Sequence, residues 1–79
     1  MTNAKQVIQN TKQRAKIWQT ICDNIAAKTS VNPEHIGGYI MCAAYQANGV
    51  GSDSLLFATT LAENELCEIV VNLASKYAE

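Results

Sequence analysis

The sequence predicts an all-α fold, a small three- or four-helix antiparallel bundle with a long N-terminal helix, and three observations carry that expectation. Almost half of the 79 residues are apolar while only five are aromatic, and alanine is plentiful, a balance that suits close helix packing better than a β-sandwich. A long stretch after Asn3 keeps a helical period of apolar residues. The run Val31-Asn32-Pro33-Glu34 then gives a strong signal for a second helix start. A chain of this length makes one domain, residues 1–79, and buries only about 60–65 % of its unfolded surface, so its core is thin and self-association is favoured.

Asn3 caps the predicted first helix, which starts at Ala4 and continues to Thr29-Ser30. At 100° per residue, Val7, Thr11, Ala15, Trp18, Ile21, Cys22 and Ile25 share one side, and Lys5, Lys12, Lys16 and Asp23 another. Arg14 and Lys28 border the apolar arc. The Arg14 stem is placed to lie along Trp18 while its guanidinium reaches a carboxylate. Ile17 lies off the arc, as a candidate for a second contact.

Asn32 accepts from orphan amides, Pro33 fits the first helical position, and Glu34 complements the positive helix end, so a second helix is predicted from here to Asn48-Gly49. It carries no charge from Ile36 to Ser52, which predicts the central and most buried helix. Gly37-Gly38 inside it points to close approach of another backbone, with a later start after a Gly-Gly turn as the alternative. Gly49-Val50-Gly51-Ser52 is the flexible connector. Asp53 then caps a helix from Ser54.

Thr60 followed by Glu63 reads as a capping box, predicting a break at Thr59-Thr60 between a short helix and a long one. An unbroken helix is the alternative, because Leu55, Ala58, Ala62, Leu66, Ile69, Leu73 and Tyr77 continue one stripe. On the last helix Ala62, Leu66, Ile69, Val70, Leu73 and Tyr77 form one face, widened by Cys67, Val71 and Ala74. Asn64, Glu65, Glu68, Asn72 and Ser75 form a solvated strip.

Charge is divided along the chain: five cations with Asp23 give +4 over residues 1–28, and six carboxylates with Lys76 give −5 over residues 29–79, totalling −1. Such a division joins parts of one fold, joins subunits, or receives a charged partner. Lys5, Lys12 and Lys16, extended by Arg14, form one charged surface, and Glu65 with Glu68 another. Nucleic acid is a possible partner for the basic stripe, but it is not favoured. The net charge is not positive, and the second helix offers almost no charged side chain to a groove.

Cys22, Cys42 and Cys67 are odd in number, widely spaced and set among apolar neighbours, so they are expected as buried thiols in a reducing, cytoplasmic setting. Neither a secretory signal nor a membrane span is expected. His35, the single histidine, has no adjacent catalytic partner in sequence. No metal-ligand pair, phosphate-binding glycine loop or nucleophile elbow occurs. No cofactor, metal or enzymatic activity is therefore expected.

Gly51-Ser52-Asp53-Ser54-Leu55-Leu56 resembles the Gly-x-Asp-Ser-Leu segment of acyl and peptidyl carrier proteins, and Val31-Asn32-Pro33-Glu34-His35-Ile36 resembles the loop after their first helix. The resemblance implies Ser54 as the attachment site of a phosphopantetheine arm. It covers about six residues, which an aspartate helix cap also explains. The sequence departs from the carrier pattern where Ile36–Ala47 reads as helix instead of loop, and only twenty-five residues follow Ser54.

The favoured expectation is a non-enzymatic interaction module, an oligomeric adaptor or an inhibitor that occludes or sequesters a larger intracellular protein, as phage and bacterial accessory proteins do by analogy. A small nucleic-acid-binding regulator and a carrier-like protein modified at Ser54 are the alternatives. Trp18, Ile21, Ile25, Val70, Leu73 and Tyr77 are the expected core or dimer seam. Ile17, Tyr39, Tyr45 and Val71 join Trp18 as candidate interface residues, since large aromatic and aliphatic groups anchor interfaces.

Overall fold

A computed structural model describes residues 4–77, with side chains from residue 11 onward. The fold is an all-α bundle of four helices: α1 (Ala4–Lys28), α2 (Pro33–Asn48), α3 (Ser54–Thr60) and α4 (Glu63–Tyr77). The expected cap at Asn3 and the side chains of Lys5 and Val7 lie outside the described residues.

Local chemistry sets most of the boundaries. Thr29 closes α1 by sending both its amide and its hydroxyl to the Ile25 carbonyl, at 2.9 and 2.8 Å. The Asn32 side chain accepts from the Glu34 amide at 3.1 Å and Pro33 occupies the first turn of α2, as the sequence predicts. Gly49 and Gly51 adopt φ of +92° and +79°, where a β-carbon is strained. The turn is tied by the Ser52 hydroxyl donating to the Gly49 carbonyl at 2.6 Å. Asp53 caps α3, accepting from the amides of Leu55 and Leu56 at 3.0 and 3.2 Å.

The break between α3 and α4 falls two residues later than expected, at Leu61-Ala62. Thr60 does not cap α4. Its hydroxyl donates back to the Phe57 carbonyl at 2.8 Å, inside α3. The first bond of α4 runs from the Leu66 amide to the Ala62 carbonyl, and Glu63 and Glu65 complement its positive end by charge alone.

Helix α2 packs against α1, α3 and α4 and runs back along α1. Arg14 of α1 meets Asp53, just past the end of α2, while Lys28 reaches Glu63 at 2.7 Å. The core cluster comprises Cys22 and Ile25 of α1, Ile36 and Ile40 of α2, Ala58 of α3, and Leu66 and Val70 of α4. Ile25, Ile36, Ile40 and Val70 are its largest fully enclosed side chains, each stabilising the fold by about 1.5–3 kcal/mol of apolar burial. Ala43, Ala44 and Leu73 are also buried, and Trp18, Ile21 and Tyr39 pack against the cluster from its edge.

Three expectations about packing need correction. The contact expected at Gly37-Gly38 is with a side chain and at Gly37 only: a β-carbon there would lie 3.5 Å from the Trp18 indole, whereas at Gly38 it would meet nothing within 4 Å. Of the thiols, Cys22 alone is buried; Cys67 is half-buried and Cys42 exposed, all three being free. Helix α2 is central on one side only, because Met41, Cys42 and Tyr45 on its other side face outward.

Candidate functional site

The residues expected to form the core or a subunit seam divide into three groups. Ile25, Val70 and Leu73 are buried, Trp18, Ile21 and Tyr39 are half-buried, and Ile17, Tyr45 and Tyr77 are exposed. Tyr77 continues the spacing of Leu66, Val70 and Leu73, but it sits in the last described turn of α4, beyond the reach of the core, and stays 54 % exposed.

The basic stripe is reduced by internal pairing. Asp53 accepts from the Arg14 guanidinium, so the carboxylate expected for Arg14 is a residue 39 positions away that also caps α3. The Leu56 amide and then Arg14 hold the Asp53 carboxyl below the ordinary aspartate value of 3.8. Lys28 is engaged by Glu63. Lys12 and Lys16 remain as exposed cations on α1, and Glu65 and Glu68 as exposed carboxylates on α4. Exposed pairs of this kind are screened by solvent and contribute little, so they align the helices more than they stabilise them.

Among the described residues, no three His, Cys, Asp or Glu side chains converge into a cluster able to hold a metal ion. His35 is exposed, its ring 6.4 Å from that of Tyr39. Burial, with a smaller contribution from Asp23, pushes the Cys22 thiol above its ordinary value, which keeps it protonated and unreactive. Ser54 is half-buried at the first residue of α3. The segment resembling carrier proteins is accounted for by the Asp53 cap, and the 16-residue α2 stands where those proteins have a loop.

A groove of about 630 Å³ lies between the first half of α2 and the last half of α4. Tyr39 lines it from α2. Val71, Ala74 and Tyr77 line it from α4, while Asn32 and His35 supply polar edges near the α1–α2 turn. The apolar lining continues past Gly38 and Cys42, which share a neighbouring hollow with Tyr39 and Tyr77, to Met41 and Tyr45 farther along α2. Met41, Tyr45 and Tyr77 are 59 %, 55 % and 54 % exposed and Val71 is 41 % exposed. The sequence reading names Tyr39, Tyr45, Val71 and Tyr77 but misses Met41 and Cys42. Their signal is the spacing Gly38, Met41, Cys42, Tyr45, a second apolar stripe opposite Ile36, Ile40, Ala43 and Ala44.

No helix among the described residues is long and apolar enough to cross a membrane. No protein-family profile matches the chain, and neither does any curated protein or solved structure.

Proposed function

We propose that this protein acts by contact, as a non-enzymatic adaptor or inhibitor that docks on another protein through the groove between α2 and α4. One observation carries the reading: Tyr39, Val71 and Tyr77 converge on an open apolar groove whose α2 wall bears no charge between His35 and Asn48. Aromatic and aliphatic groups of this kind anchor protein interfaces, and a polar rim such as Asn32 and His35 provide is their usual border. The partner surface that fits is an apolar ridge or helix face. A reducing, cytoplasmic setting accords with three free thiols.

The nucleic-acid alternative is weakened by internal pairing. With Arg14 engaged by Asp53 and Lys28 by Glu63, the described basic surface of α1 falls to Lys12 and Lys16, a small electrostatic footprint beside an acidic remainder.

The experiment is affinity purification of the tagged chain from its source cells, comparing wild type with Val71→Glu/Tyr77→Glu. Both positions are exposed, so circular dichroism is expected to show unchanged helicity in the variant. Wild type is expected to retain a stoichiometric protein that the variant loses. Equal recovery by both, or recovery by neither, overturns the reading.

A further inference from the structure

Among the described residues, no carboxylate, lysine or arginine lines the groove between α2 and α4. His35 does line it, and it is the single histidine of the chain. Histidine is the side-chain type whose charge changes between about pH 5 and 8, an interval in which carboxylates and lysines as a class hold theirs. One proton therefore sets the charge of the groove lining near neutrality.

The position of the imidazole gives that proton leverage. His35 is exposed in the first turn of α2, with its ring 6.4 Å from that of Tyr39, and both residues also line the neighbouring hollow with Tyr77. Three elements meet around it. The α1–α2 turn brings Ser30 and Asn32, which carry no charge, and α4 brings Ser75 and Tyr77. Lys76 lies over the Tyr77 ring at 5.4 Å, a like charge for an imidazolium. From α2 itself Glu34 is the one carboxylate, and it lines the neighbouring hollow, on the way to the outer stripe of α2 at Gly38 and Cys42. The positive end of α2 opposes a cation in its first turn, whereas Glu34 favours one across solvent.

A neutral imidazole packs against an apolar occupant as an aromatic ring, with its polar edge left to water. An imidazolium covered by the same occupant loses water from a full charge, which is costly without a close partner. We infer that His35 is a pH gate on this groove, which holds an uncharged apolar occupant at neutral pH and releases it as the imidazole takes up its proton. The inference rests on the docking reading and adds its regulation. The fold itself is not the switch, because the carboxyl of Asp53, which ties α1 to α3, is held below the ordinary 3.8 and keeps its charge through this interval.

Nile red, an uncharged apolar dye, is the probe, and its fluorescence is titrated against the full chain at about pH 7.5 and about pH 5.5, on either side of the ordinary histidine value. Wild type is expected to bind the dye at least about threefold more weakly at the lower pH. His35→Gln, which stays polar and uncharged, should bind it equally at both. By linkage, saturating dye should move the midpoint of the His35 ring signal in a proton NMR titration to lower pH. Val71→Glu/Tyr77→Glu should lose the dye at both pH values, and circular dichroism should show the same helicity throughout. Dye binding by wild type that ignores pH, or a pH dependence that His35→Gln retains, overturns the gate and leaves the docking reading standing. No dye binding at neutral pH, or binding that Val71→Glu/Tyr77→Glu leaves intact, overturns the docking reading and the gate together.

Discussion

Ile40 and Met41 are neighbours in sequence, both large and apolar, on a helix without a charge for most of its length. Ile40 is fully enclosed within the core cluster, while Met41 is 59 % exposed. The two side chains differ in surroundings far more than in hydrophobicity, because successive residues of a helix point about 100° apart and α1, α3 and α4 gather on one side of α2. An apolar stripe states that something covers it. Only the tertiary arrangement says whether the cover comes from the same chain.

Substitutions on the two sides put this contrast to the test. Ile40→Ala should destabilise the fold by about 2–5 kcal/mol, the cost of lost burial plus the cavity left behind, whereas Met41→Ala in dilute solution should stay within about 0.5 kcal/mol. Urea unfolding followed by circular dichroism measures both, and similar losses at the two positions would erase the distinction between the faces. A smaller effect is expected at the start of the same helix. Asn32→Ala removes the acceptor of the Glu34 amide and should cost about 1 kcal/mol, affecting both faces alike by loosening the first turn.

The smallest effect lies at the far end, where Asp53 caps α3 and pairs with Arg14. Its carboxyl is held below the ordinary 3.8, first by the Leu56 amide and then by Arg14. A depressed folded-state value means that the stabilisation is present above the unfolded value and is lost as pH falls through the folded one. Asp53→Asn keeps a capping acceptor but removes the charge. Its unfolding midpoint should therefore vary less than that of wild type below about pH 4, as acid titration at fixed urea would show.

Much of the architecture is legible in the sequence because its signals are local. Asn32-Pro33-Glu34, Asn48-Gly49 and Asp53 mark helix ends through their own hydrogen bonds and backbone preferences, and the structure uses each as expected. The α3–α4 break is not legible to the residue. Thr60 and Glu63 have the spacing of a capping box, but the Thr60 hydroxyl is satisfied within α3, and half-buried Leu61 packs on the core between the two helices. The candidate site is legible only in part. Tyr39, Tyr45, Val71 and Tyr77 stand out as large groups, yet nothing in their local sequence tells Tyr45 from Ile40. That decision belongs to partners that are remote along the chain. The pairing of Arg14 with Asp53 illustrates the same limit: the need for a carboxylate follows from the sequence, and its identity follows from the turn after α2.

The place of α2 between the other three helices also bears on how fast the chain folds. Its contacts with α1 and α3 join elements separated by four and five residues, and only the short α3 lies between it and α4. Docking onto α2 therefore closes small loops, and helical domains with such local contacts fold in microseconds to milliseconds. Little time is then available for the outer stripe of an incomplete bundle to meet the wrong surface.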